Sequence, residues 1–126
     1  MEDIYFYNSN RLPIMSWHKI KRENKKIFFN INITKNIFTI KYEGCIDNTG
    51  LLLLMDNLNE IYIGNKNIIE FTLFSPPLKI KLVKDISGII NVKLLFIDSG
   101  YNAIMEIAYT FDQSFLPELI NHLSLI

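Results

Sequence analysis

The stretch KIFFNINITKNIFTIKYE, residues 26–43, decides the fold. Ile27, Phe29, Ile31 and Ile33 alternate with Phe28, Asn30, Asn32 and Thr34. Then Phe38, Ile40 and Tyr42 alternate with Thr39, Lys41 and Glu43. A period of two with one apolar face is the pattern of half-buried strands. A two-residue turn at Lys35-Asn36 joins them and pairs Ile33 with Phe38, Ile31 with Ile40 and Phe29 with Tyr42. The result is an antiparallel hairpin with a buried face and an open one.

Working outward, Asp47-Asn48-Thr49 supplies helix caps. Leu51, Leu52, Leu54, Met55 and Leu58 follow at helical spacing. Residues 60–63 read as a short strand before the turn at Gly64–Asn67. Alternation returns in Ile69, Phe71 and Leu73, in Leu78, Ile80 and Leu82, in Val92, Leu94 and Phe96, and in Met105, Ile107, Tyr109 and Phe111. Asp98-Ser99-Gly100-Tyr101-Asn102 reads as a hairpin loop. Asp112 or Ser114 caps a closing helix with Pro117 in its first turn, where the missing N–H costs little. Leu116, Leu119, Ile120, Leu123 and Ile126 trace its apolar face. At the other end, Ile4–Tyr7 reads as an edge strand, Asn8–Pro13 as a turn, and the basic run Lys19–Lys26 as a solvated loop. No internal repeat is visible.

These readings predict an α+β fold. It has a single, mostly antiparallel sheet of about six to seven strands with two helices packed on one face. The chain reads as a single domain over 1–126, with 1–25 an edge strand and loop arm and 26–126 the sheet and helices. At 126 residues and 49% hydrophobic composition it can bury a core without disulfides.

Composition narrows the function. The formal net charge is +0, which argues against bulk electrostatic binding to nucleic acid or an anionic membrane. The longest apolar run, Leu51–Met55, is far too short to span a bilayer. A lone cysteine, Cys45, and an N-terminus without a basic-then-apolar run point to the cytoplasm. His18 and His122 have no ligand-spaced neighbours, Cys45 lacks an evident base, and the glycines are scattered, so no metal, cofactor or catalytic site is expected. Glu70 and Glu106 read as solvated strand positions.

Charge is nonetheless uneven. Residues 1–41 hold 8 Lys or Arg and 3 acids; the remainder holds 5 and 10. From Leu94 to the end there are acids and no Lys or Arg. An acidic surface suits a basic protein partner. The basic run Lys19–Lys26 lacks interleaved aromatics, which counts against nucleic acid.

From Lys26 onward the order of elements resembles the WapI-type group of small bacterial immunity proteins. The hairpin at 27–42, the Leu-rich helix at 51–58, the strand pairs, the Asp85-Ile86-Ser87-Gly88 loop, the long last strand and the amphipathic C-terminal helix follow in that order. The resemblance implies a cytoplasmic, non-enzymatic inhibitor, monomeric or homodimeric. It would neutralise a cognate toxin, such as a basic nuclease, by steric and electrostatic blockade, without nucleic acid or membrane as partner. No functional residue carries over from the resemblance; as charged and aromatic residues on one surface, Glu43, Glu70, Asp98, Tyr101 and Glu106 are the expected partner-binding residues. The alternatives are a phage or secretion-system assembly module that self-associates through a sheet edge, and a small-ligand domain or enzyme with a cavity between sheet and helices.

Overall fold

The computed structural model describes residues 2–74, 77–97 and 104–126. The strands are β1 (Ile4–Tyr7), β2 (Pro13–Glu23), β3 (Lys26–Lys35), β4 (Phe38–Asp47), β5 (Ile68–Leu73), β6 (Leu78–Lys84), β7 (Ile89–Ile97) and β8 (Ile104–Asp112). Helix α1 (Asn48–Tyr62) follows β4, and α2 (Leu116–Ser124) follows β8 through a single 3-10 turn. The chain therefore runs four strands and a helix, twice.

The strands form two separate antiparallel sheets, β1-β2-β3-β4 and β5-β6-β7-β8. This corrects the expectation of a single sheet of six to seven strands with both helices on one face. Alternation locates strands but does not say which strands share a sheet. The break falls where Asp47 leaves β4 and accepts from the Gly50 amide to cap α1, a contact worth about 1 kcal/mol. Beyond it, Leu51, Leu54, Leu58 and Ile61 are all buried at helical spacing, so α1 absorbs residues 60–62, read above as strand.

The basic run is also strand rather than loop. In β2, Lys19 and Ile20 together face the single residue Phe29, between the pairs His18↔Asn30 and Lys21↔Phe28. This β-bulge, with Lys19 at φ 50, breaks the alternation and hides the strand from a period-two reading. The β3–β4 hairpin has the expected faces but a register two residues further on: Ile33↔Ile40, Ile31↔Tyr42 and Phe29↔Gly44. Its turn is Asn36-Ile37, where Asn36 takes the left-handed φ of 57 that asparagine tolerates better than lysine. A shift of two preserves every side chain's face.

Both inner faces and both helices meet in one apolar cluster. Trp17 is fully buried and stacks on Phe29 at 4.2 Å between centroids, worth about 0.5–1.5 kcal/mol beyond area burial. Where Phe6 and Met15, Leu54 and Leu58, Ile80, Phe111 and Leu119 converge, the residual void is only about 10 Å³. Helix α1 packs on α2, β4 and β5, and α2 packs on β1. Gly44 lies inside β4, where a Cβ would come within 2.5 Å of the Ile31 side chain.

Candidate functional site

The outward faces of the two sheets are joined at one place. Cys45 of β4 and Phe74, just after β5, exchange backbone hydrogen bonds of 3.2 and 3.1 Å. Residues directly opposite in antiparallel strands project to the same face. The pairs Lys21↔Phe28, Phe28↔Cys45 and Cys45↔Phe74 thus make a continuous row across the seam. Phe28 is 39% exposed and Phe74 54%, with Cys45 half-buried between them. Two strand spacings separate the two rings, about 10 Å.

Lysines flank this row on both sides. Lys26 and Lys41 stand exposed on the outer face of the first sheet. On the second, Lys79 and Lys81 project from β6, and Lys93 of β7 lies directly opposite Lys81. Like charges in that position oppose folding. Lys81 has a partial counter-ion in Glu70 at 3.9 Å. Glu23, Glu43 and Glu106 share these faces, whereas Asp47 and Asp112 accept from amides at helix starts.

The expected partner-binding residues do not gather. Glu43 is exposed on β4, Glu70 on β5 and Glu106 on β8. Glu70 and Glu106 cannot face each other, because β6 and β7 lie between their strands. Asp98 and Tyr101 lie outside the described residues.

A second group sits on the outer face of the first sheet. His18 Nδ1 lies 2.8 Å from Asp3 Oδ2, and His18 Nε2 lies 2.6 Å from Ser16 Oγ. A carboxylate only accepts, so Nδ1–H donates to Asp3, and Nε2 accepts from the Ser16 hydroxyl. The Tyr5 ring packs edge-on against the imidazole. Burial, with the nearby Asp3 charge, pushes the Tyr5 hydroxyl above its usual pKa. Ser16 also lines an open groove of about 640 Å³. The i, i+2 spacing of Ser16 and His18 was visible in the sequence; the arrival of Asp3 from before β1 was not.

Between β1 and α2 lies an aromatic cleft of about 20 Å³, lined by Tyr5, Tyr7, Phe111, Phe115 and His122 among others. The Arg11 guanidinium lies 4.2 Å from the centroid of its Phe115 ring and 2.8 Å from Glu118. The Tyr42 and Tyr109 hydroxyls are pushed well above the ordinary range by burial. Among the described residues no three His, Cys, Asp or Glu side chains group to hold a metal ion, and no helix is long and apolar enough to cross a membrane.

No family model matches the chain, and no curated protein matches its sequence. Two solved structures share its fold. One is of the Trypanosoma brucei proteins MRP1/MRP2, with TM-score 0.54 and 9% identity, covering 98% of this chain and 81% of that one. The other is a guide-RNA-binding protein complex bound to its guide RNA, with TM-score 0.55 and 9% identity, covering 98% and 86%. This likeness corrects the toxin-neutralising function, the toxin partner and the exclusion of nucleic acid. The eight-strand, two-sheet architecture is one this chain shares with a guide-RNA-binding protein complex.

Proposed function

We propose that this protein binds single-stranded RNA along the joined outward faces of its two sheets. The observation that carries the reading is the row Lys21–Phe28–Cys45–Phe74, with exposed aromatics at the seam and lysines on either side. Single-strand binders combine cations that follow the phosphates with aromatic faces on which bases stack. The sequence hides this combination because the aromatics interleave with the lysines only through cross-strand register.

Phe28 and Phe74 stack bases in this reading, and Lys21, Lys26, Lys41, Lys79, Lys81 and Lys93 meet phosphates. Every base offers a π face, so binding tolerates sequence and weakens steeply with salt. The fold shared with a guide-RNA-binding complex supports the same reading. The unpaired Cys45 fits a reducing compartment such as the cytosol.

The test is fluorescence anisotropy with a labelled, unstructured RNA of about 12 nucleotides, within the site sizes of such folds. Each stacked base is worth about 1–3 kcal/mol, so F28A/F74A weakens binding by at least about 30-fold. Both rings are only partly exposed, so circular dichroism at the assay temperature accompanies the titration to show that the variant is folded. Unchanged affinity in the variant, or no binding by the native chain at low salt, overturns the proposal.

A further inference from the structure

We infer that Ser16, His18 and Asp3 form an acyl-transfer site that hydrolyses short-chain carboxylic esters. The inference goes beyond RNA binding and rests on different atoms. Three conditions for a hydroxyl nucleophile are met together. The Ser16 Oγ is 2.6 Å from an imidazole nitrogen free to accept its proton. The other imidazole nitrogen is 2.8 Å from a carboxylate that fixes the tautomer. Ser16, although only 8% exposed, lines a groove whose volume of about 640 Å³ suits a small ligand.

The rest of the machinery is placed by register. Asn32 is the cross-strand partner of Ser16 and lines the same groove, offering an amide N–H for a developing oxyanion. Leu12, Pro13 and Ile14 give the groove an apolar wall for an acyl chain.

In the first step the Ser16 Oγ attacks the ester carbonyl while its proton passes to His18 Nε2. The tetrahedral adduct collapses, breaking the ester C–O bond, and His18 returns that proton to the departing alkoxide. Water then attacks the acyl-serine with His18 again taking a proton. The acid leaves, and Ser16 regains its hydrogen. No oxidant, reductant or metal enters the balance.

The experiment incubates the intact protein with an alkyl fluorophosphonate, which traps activated serines, and maps the adduct by peptide mass spectrometry. Turnover of p-nitrophenyl butyrate is followed in parallel. The expected result is one adduct on Ser16, with exposed serines such as Ser87 and Ser124 unlabelled. S16A then shows neither adduct nor turnover. H18A labels about a hundredfold more slowly, the low end of what a positioned general base contributes. D3N labels more slowly than the native chain while keeping its circular dichroism. An unlabelled Ser16 overturns the inference, as does labelling no faster than that of the exposed serines. Labelling of H18A and D3N at the native rate does so too. The probe contains no nucleic acid, so this failure and the failure of RNA binding are read separately.

Discussion

If RNA follows the lysines of the outward face, folding and binding make opposite demands on Lys93, so its substitution tests the binding reading sharply. It stands directly opposite Lys81 on adjacent strands, and Lys81 is only partly compensated by Glu70 at 3.9 Å. Like charges in opposite positions cost a few tenths to about 1 kcal/mol. K93Q therefore raises stability by about 0.5 kcal/mol, which for a chain of this length is about 2 °C in melting temperature. The same change removes a phosphate contact. On single strands each contact contributes about 0.7 to the slope of log affinity against log salt. K79Q/K81Q/K93Q should flatten that slope by about 2, so its disadvantage relative to the native chain shrinks about 20-fold between 50 and 200 mM salt. The assay pairs thermal melting with anisotropy titrations at four salt concentrations. A triple variant with the native salt slope would refute the reasoning, as would a K93Q protein that is both less stable and equally tight.

RNA lying along the proposed face would cover Cys45 between Phe28 and Phe74, so alkylation by iodoacetamide should slow about tenfold at RNA ten times above Kd, read by intact mass; an unchanged rate at saturation contradicts the assigned face. The Tyr42 hydroxyl is buried without a hydrogen-bond partner, so Y42F should stabilise the fold by about 1 kcal/mol in urea denaturation. G44V forces a branched side chain against the fully buried Ile31 and should cost about 1–3 kcal/mol by the same measurement. Asp85 is held below its usual pKa by the Ser87 hydroxyl and then the Ile89 and Ser87 amides, and Asp112 by the Ser114 amide. Depressed carboxyls stabilise fully above the ordinary value of 3.8 and lose that contribution as pH falls through the lower folded-state value, so D85N should lose less melting temperature than the native chain between about pH 5 and pH 2.

Much of this fold is legible as alternation. The β3–β4 hairpin, β5 to β8, the cap at Asp47 and the closing helix lie where the apolar periods put them. What failed were features that local periodicity does not carry. A bulge at Lys19 and Ile20 concealed β2, and residues 60–62 satisfied a strand pattern until Ile61 was drawn into the helix stripe. The partition into two sheets depends on pairings distant in sequence. The same holds for the site. Phe28 and Phe74 are 46 positions apart in the chain and are brought into one row only by Cys45. The outward placement of Glu43, Glu70 and Glu106 was readable, but outwardness alone does not make a cluster.

The seam explains why two sheets serve better here than one. A full ladder between β4 and β5 would hold the sheets in one twisted plane. A single bridged pair lets them diverge, and the space opened on the inner side takes Leu51, Leu54, Leu58 and Ile61 of α1 and Leu116 and Leu123 of α2. On the outer side the same pair keeps the surface unbroken. The β8 edge is covered in part by contacts from the first half of the chain. The Ser9 amide donates to the Thr110 carbonyl at 2.8 Å, and the Lys35 ammonium donates to the Ala108 carbonyl of the same strand. With β8 occupied in this way and β1 only four residues long, the longer edges among the described residues are those of β4 and β5 on either side of the single bridged pair. In the RNA-binding reading the partner lies across strands on the broad outward surface that this pair keeps continuous, and not along a sheet margin.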